Sequence, residues 1–560
     1  MNAHAIAFSL PASWLAVPPM VFVAMVGACV GSFINVLVYR LPRGEGIWSP
    51  PSRCPSCGTR LTWRENFPVL GWVFLGGRCR FCRSKISPEY PLIEAATAAA
   101  FLGLFLVWFP GVGALSPPTG AAAQAPNWAR AGLGATWPML LIAFTLVGSL
   151  LAMTLIDART FTIPLVLPWA ATAVAMAAHP LHALALGAAR GDLHRPLSLA
   201  SHWTIPTPTG AALGAAIGGG AGLALSLVLL RIGWIPRSFA DFDRWAEEAK
   251  AASAGAPAAP VEEEVFSLRA LLLRTLLFTG PAVGLMVVGF LIGERFGRPM
   301  PGMLMGALAG LVVGALLRAA VPVSNPTMAA SPAAETRRAR PAALGLLADV
   351  LPPLFLGGAG WLIGPGQGLF GVGVGMTLSV AGRRWTAPEE VESTDDGPPH
   401  WLAYPHARRE MIKELAFLLP PTLLAVLGVW VFRLHPIDPP LWVEALGGSV
   451  LGYLAGGAVV WAIRLLASLA FGSEAMGLGD VHLMAAVGAA LGWADPLLAF
   501  AVAPLLGLGW TMMVYVFRGG ASAALPYGPH LAVATLAVMI AHPQFERLLA
   551  GISGGVIRLP

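Results

Sequence analysis

Runs of about twenty consecutive apolar residues recur along this chain. Each is long enough to cross the roughly 30 Å hydrocarbon core of a bilayer as one helix. They fall at residues 14–38, 90–109, 137–156, 163–186, 208–230, 270–292, 300–320, twice within 343–380, and at 411–432, 442–469, 483–500, 502–517 and 525–540, about fourteen spans by hydropathy. The chain is 56% hydrophobic and only 11% charged, with a mean hydropathy of +0.70. The fold class predicted is therefore an all-α polytopic membrane protein, a multi-helix bundle. The 65 glycines and 49 prolines fit this class, since both residues are more frequent in membrane helices than in soluble ones. Residues 1–11 lack a basic region, so no cleavable signal peptide is expected and the first apolar run stays as a helix.

Basic residues set the expected orientation. Arg40, Arg43, Arg53, Arg60, Arg64, Arg78, Arg80, Arg83 and Lys85 crowd the loop after the first span, and basic loops stay in the cytoplasm. Alternation along the spans then puts Arg159, 231–250, 337–340, 383–384, 408–413 and Arg518 on the same side. The net charge of +6 is read as loop arginine. No basic face on a soluble domain is visible, so nucleic acid is not an expected partner and membrane lipid is. The stretches 239–267 and 386–400 read as solvated linkers, and no internal repeat is evident.

The same basic loop holds Cys54-Pro55-Ser56-Cys57 and Cys79-Arg80-Phe81-Cys82, with 21 residues between the pairs. Four thiolates at this spacing can close a tetrahedral zinc site. Two disulfides or four idle thiols are the alternatives, and a reducing cytoplasm disfavours disulfides. Cys29 lies in an apolar run and reads as packing.

Charge inside a membrane is costly, so acids at span ends are the first candidates for chemistry. Asp157 closes a span in LAMTLIDARTFTIP, and Asp480 sits between two spans in EAMGLGDVHLMA. Both fall at the cytoplasmic boundary. Two facing carboxylates can share one proton, the ionised one activating water while the protonated one polarises a carbonyl. Gly477 and Gly479 would let the backbone loosen beside Asp480 and an extended substrate approach. A Gly-x-Gly-Asp tetrad alone is weak in a glycine-rich chain, and Asp157 paired with Arg159 would be an ordinary interfacial acid. Glu94, Asp349, Glu444 and Asp495 are read as structural: Asp495 as a turn acid on the far side, Asp349 and Glu444 as interhelical partners.

The segment CPSCGTRLTWRENFPVLGWVFLGGRCRFCRSKISPEYPLIE closely resembles the cysteine-rich domain of the type IV prepilin peptidases, which are intramembrane aspartic proteases. GSFINVLVYRLPR resembles the family's first helix, EAMGLGDVHLMAAVGAALGW its second aspartate motif and LPYGPHLAVA its last helix. The resemblance covers about residues 20–160 and 440–540. It implies that Asp157 and Asp480 are catalytic and that Cys54, Cys57, Cys79 and Cys82 bind zinc. It also implies an activity: removal of the basic leader of prepilins or pseudopilins after a glycine, then N-methylation of the new terminus from S-adenosylmethionine. The location implied is the bacterial inner membrane, multi-pass, with the cysteine loop and active site facing the cytoplasm. No glycine-rich dinucleotide fingerprint marks a methyl-donor site.

Two departures stand out. The sequence after Asp157 reads TIPLVL without the acid usual in the family, and His482 stands where lysine is usual. The chain is also longer than members of the family usually are. The organisation expected is a first membrane helix (1–39), a tetracysteine domain (40–89), helices carrying Asp157 (90–186), an insertion of further helices and polar loops (187–410), and C-terminal helices carrying Asp480 (411–560). The insertion is expected to pack outside the catalytic bundle. Because the cysteine loop is basic, a basic leader would have to be recognised by local acids such as Glu65, Glu89 or Glu94, or by apolar contacts. A coupled transporter and a catalytically silent assembly scaffold are the readings from other classes; the first would favour repeat symmetry.

Overall fold

The computed structural model describes residues 17–109, 128–129, 132–192, 205–245 except 243, 288, 353, 365–386, 404, 406–518 and 526–552. The expected span at 300–320, nearly all of that at 270–292, the first of the pair within 343–380, most of both polar linkers, and Asp349 lie outside the described residues.

The described chain is helical. Its principal helices are α1 (Val17–Arg40), α2 (Glu89–Trp108), α3 (Leu133–Thr160), α4 (Val166–Arg190), α5 (Gly210–Arg231), α6 (Pro365–Thr386), α7 (Ala407–Leu434), α8 (Leu441–Phe471), α9 (Leu478–Leu491), α10 (Ala494–Arg518) and α11 (Gly528–Ile552). Among the described residues, eight helices are long and apolar enough to cross a membrane: α1 to α5, α7, α8 and α10.

α3 is the axis of the bundle. Nearly every side chain from Thr136 to Ala158 is buried, against α1, α2, α4, α6, α9 and α11. A helix apolar on all sides belongs in such a position. Its end is set locally. Phe161 turns left-handed (φ +52) and its N–H closes on the Asp157 carbonyl at 3.0 Å, and Pro164 follows. This is the usual way a helix is stopped, and it leaves Asp157 one turn from the terminus.

α8 and α9 cross at glycines. A methyl group on Gly452 would overlap the Gly488 carbonyl, and one on Gly488 would overlap the Gly452 carbonyl. Only hydrogen at both positions allows the two backbones to meet. Small residues serve this purpose in membrane bundles, where apolar burial gives helices no reason to associate.

One C-terminal break falls elsewhere than hydropathy predicts. The spans 502–517 and 525–540 place a break near 520, and α10 ends at Arg518 and α11 starts at Gly528; the break predicted near 501 instead lies between Leu491, where α9 ends, and Ala494, where α10 starts. The break falls at Gly492, whose φ of +91° and ψ of −177° are open essentially to glycine alone. α9 is therefore about 21 Å long, too short to span the bilayer, and Asp480 occupies its first turn.

Candidate active site and metal centre

The two predicted acids are brought to one end of the bundle. Asp157, 5% exposed, accepts the backbone N–H of Gly528 on Oδ2 at 3.2 Å. Asp480, 7% exposed, lies within electrostatic reach of both Asp157 and Arg464. Ile163, just past the end of α3, joins the two sides. Its side chain meets Gly479 and also meets Gly528, which in turn abuts the Asp157 carboxyl group. Tyr527 lies within electrostatic reach of Asp480. The site is thus assembled from the end of α3, the start of α9 and the start of α11. Arg159 lies in the last turn of α3, and the start of α7, with Arg408, Arg409 and Lys413, sits beside the end of α8, where Arg408 donates to Leu469 O at 3.0 Å.

Of the two glycines before Asp480, Gly479 serves packing. Gly477 has an ordinary extended backbone (φ −67°, ψ +145°) and precedes α9, so Gly479 and Asp480 are already helical. A side chain on Gly479 would strike Ile163. Sequence reasoning also missed Gly528. The only signal available was its place in LPYGPH, which marks a helix start by its prolines without naming what the start would touch.

The four cysteines converge. Their sulfurs lie within 4.8 Å of one another, and Cys54 Sγ and Cys82 Sγ are 3.8 Å apart. A tetrahedron with metal–sulfur bonds of about 2.3 Å has sulfurs about 3.8 Å apart, so the donor set fits zinc in number, chemistry and spacing. All four thiols are free. The two knuckles are built alike. Cys54 N–H donates to Thr59 O and Gly58 N–H to Cys54 O; Cys79 N–H donates to Ser84 O and Arg83 N–H to Cys79 O. Gly58 (φ +70) and Arg83 (φ +60) turn left-handed at matching positions, and Arg53 bridges Arg60 as Arg78 bridges Lys85. The Cys57 backbone N–H, with smaller help from Ser56 and Ser84, holds the Cys54 thiol down at about 6, against the opposing effect of burial. The Ser84 hydroxyl lowers Cys82 likewise.

Two of the acids expected to recognise a basic leader, Glu65 and Glu94, are engaged internally. Glu65 accepts from the Thr62 hydroxyl and backbone and from Arg80 at 3.1 Å. The Thr62 hydroxyl first, then Arg80, hold its carboxyl at about 2. Glu94 of α2 accepts Val69 N–H at 2.6 Å. Val69 has φ +58 and ψ −55, a classic γ-turn that is strained for a β-branched residue. That bond ties the cysteine module to α2. Asp495 pairs with His542 at 3.0 Å in the first turn of α10.

The stretch between the two expected catalytic parts is in contact with them. Gly373 of α6 presses on the backbone of Ala96 and Ala100, α6 also packs on α3, and Phe239 faces Arg464.

Fold and site define a polytopic helical membrane protein that gathers two buried carboxylates at one end of its bundle and carries a tetracysteine module between its first two spans. Residues 25–108 match the bacterial peptidase A24 N-terminal domain, and residues 417–512 match the type IV leader peptidase family. Over these two stretches the chain is similar to that family. It is similar to the prepilin leader peptidase/N-methyltransferase of Myxococcus xanthus (strain DK1622), 49% identical over 81 residues, covering 14% of this chain and 24% of that protein. The enzyme of that name from Pectobacterium carotovorum subsp. carotovorum is 31% identical over 161 residues, 25% of this chain and 48% of the relative. That from Burkholderia pseudomallei (strain K96243) is 36% identical over 203 residues, 30% and 57%. The chain therefore spans between about a quarter and somewhat over half the length of these relatives. No solved structure matches. The four cysteines and Asp480 fall inside the two family-matched stretches; Asp157 and Gly528 fall outside them.

Proposed function

We propose that this protein is a membrane-embedded aspartic endopeptidase that removes the leader of type IV prepilins or pseudopilins after a glycine, and then N-methylates the new terminal residue. The observation that carries the reading is the meeting of Asp157 and Asp480 around Ile163 and Gly528. One proton is shared between the two carboxyl groups. The ionised one takes a proton from water as the water oxygen attacks the glycine carbonyl carbon, and the protonated one donates to the carbonyl oxygen. Collapse of the tetrahedral intermediate breaks the C–N bond, and a carboxyl proton passes to the departing amine. Such a pair titrates as a unit.

Cys54, Cys57, Cys79 and Cys82 hold zinc, which when bound cross-links two knuckles that have no apolar core of their own. S-adenosylmethionine is the methyl donor. The protein resides in the bacterial inner membrane among lipids, with the carboxylate pair and cysteine module facing the cytoplasm. That side agrees with the basic residues at the end of α3 and the start of α7. A prepilin is an apolar helix with a short cytoplasmic leader, so a pair of acids at this depth reaches the junction without unfolding the substrate helix. The division into 1–39, 40–89, 90–186, 187–410 and 411–560 belongs to this reading.

The test is the product. Purified protein in lipid nanodiscs, incubated with a prepilin and S-adenosylmethionine, yields a mature chain cut after the leader glycine and heavier by one methyl group. An intact precursor with well-folded protein refutes the activity.

A further inference from the structure

Among the described residues, Arg464 is the largest side chain sealed inside the bundle, 1% exposed, two turns before the end of α8. A guanidinium cannot be deprotonated in a protein, so its burial demands partners. Its Nη2 and Nε donate to the two oxygens of Glu414 on α7, at 2.9 and 3.2 Å. Its Nη1 donates to Glu474 and to the Met476 carbonyl. Trp461 Nε1 donates to Glu414 Oε2 at 2.7 Å.

Glu474 and Met476 belong to the turn, 472–477, that leads from α8 into α9. The turn is pinned at further points: Gly472 N–H on Ser468 O at 2.8 Å, and Ala475 N–H on Ser468 Oγ at 3.0 Å. Asp480 N–H then donates to Gly477 O at 3.2 Å. A turn flanked by Gly472 and Gly477 would otherwise be free to move, and the first turn of α9, with Asp480, would move with it.

The support comes partly from chain that neither family match covers. Glu414 precedes the matched stretch 417–512, and the ring of Phe239 lies 5.7 Å from Arg464 Cζ. Phe239 is itself held left-handed (φ +55), with its N–H on Glu410 Oε2 at 2.6 Å. Next to it, Asp241 accepts from Tyr404 and Arg409, each at 2.7 Å. The Tyr404 hydroxyl, then Arg409, hold the Asp241 carboxyl well below the usual range.

We propose that Arg464 is a positioning residue for Asp480: its fork, anchored on Glu414 and covered by Phe239, fixes the 472–477 turn and so the placement of Asp480 opposite Asp157. The proposal rests on the endopeptidase reading for its catalytic consequence, and on geometry alone for its structural one. It also gives part of the stretch 187–410 a task at the active site.

The test uses the full chain in nanodiscs. Arg464→Met with Glu414→Gln removes both charges and so leaves no unpaired guanidinium partner on α7. Amide hydrogen exchange across 472–480 is expected to rise about tenfold or more in this double variant. kcat for prepilin cleavage is expected to fall about tenfold or more while KM stays within about twofold. Arg464→Lys keeps the charge but lacks the planar fork, and is expected to shift both readouts in the same direction by less. It decides the matter if the double variant does not fold. Wild-type exchange in a folded variant overturns the proposal, whatever kcat does. Faster exchange with unchanged kcat overturns the catalytic role. If wild-type protein cuts no prepilin, the endopeptidase reading fails while the exchange comparison still judges the clamp.

Discussion

Gly528→Ala puts the geometry of the carboxylate pair under direct strain. A β-carbon at Gly528 would stand 2.6 Å from Asp157 Oδ2, 3.2 Å from its Cγ and 3.1 Å from Ile163 Cδ1, where ordinary contact begins at 3.4 Å. The carboxylate must retreat by about 0.8 Å. Gly528 is not left-handed, so alanine carries no backbone penalty there, and its N–H remains. The substitution therefore displaces one oxygen without dismantling the fold. A misplacement of about 1 Å at a reacting group costs about 10²-fold, close to 2.7 kcal/mol of barrier. Prepilin cleavage by purified Gly528→Ala is expected to lose about 10²-fold in kcat, with the unfolding midpoint nearly unchanged. Gly134→Ala, where an added β-carbon meets nothing within 4 Å, is the matched control and should retain wild-type rates. Gly528→Ala cleaving within about threefold of wild type would mean that the Asp157 position is not what catalysis depends on.

Gly488→Ala should force α8 and α9 apart and destabilise the protein by about 1–3 kcal/mol, read as an earlier unfolding transition in micelles; an unchanged transition would contradict the close crossing at Gly452. Elemental analysis should find one zinc per chain, with Cys57→Ser lowering the content and loosening the 54–85 loop in exchange measurements; a stoichiometric absence of metal from freshly purified wild type would contradict the site. Glu65 has a folded-state pKa depressed to about 2, so its contribution to loop stability is present above the unfolded value of about 4.3 and is lost only as pH falls toward 2. Its carboxyl 13C shift should accordingly remain that of an anion down to about pH 3, and a midpoint near 4 would show that the contacts with Thr62 and Arg80 are not formed.

What could be read from the sequence was local. The cysteine pairs announce themselves by spacing, and each knuckle closes through bonds spanning five residues. Asp157 and Asp480 stood out because a charge at the end of an apolar run is costly and therefore rare. What could not be read was distant in sequence. Gly528 is 371 residues from Asp157, and nothing in its neighbourhood names that partner. Arg464 lies deep within the span 442–469, where a charge is itself a functional signal, but its partner Glu414 is 50 residues away on another helix. The short α9 was hidden because a hydropathy window of about twenty residues slides across a break of two, Gly492 and Trp493, without a dip.

The central claim is that Asp157 and Asp480 act as one catalytic unit on a peptide bond, and single-turnover cleavage of a prepilin in nanodiscs tests it most directly. Wild-type protein should release the leader. Asp157→Asn, Asp480→Asn and the double variant should each be folded, zinc-loaded and inactive to a similar degree, because residues that act as a unit lose their function together. Substantial cleavage remaining in both single variants would show that the bond is broken by other groups.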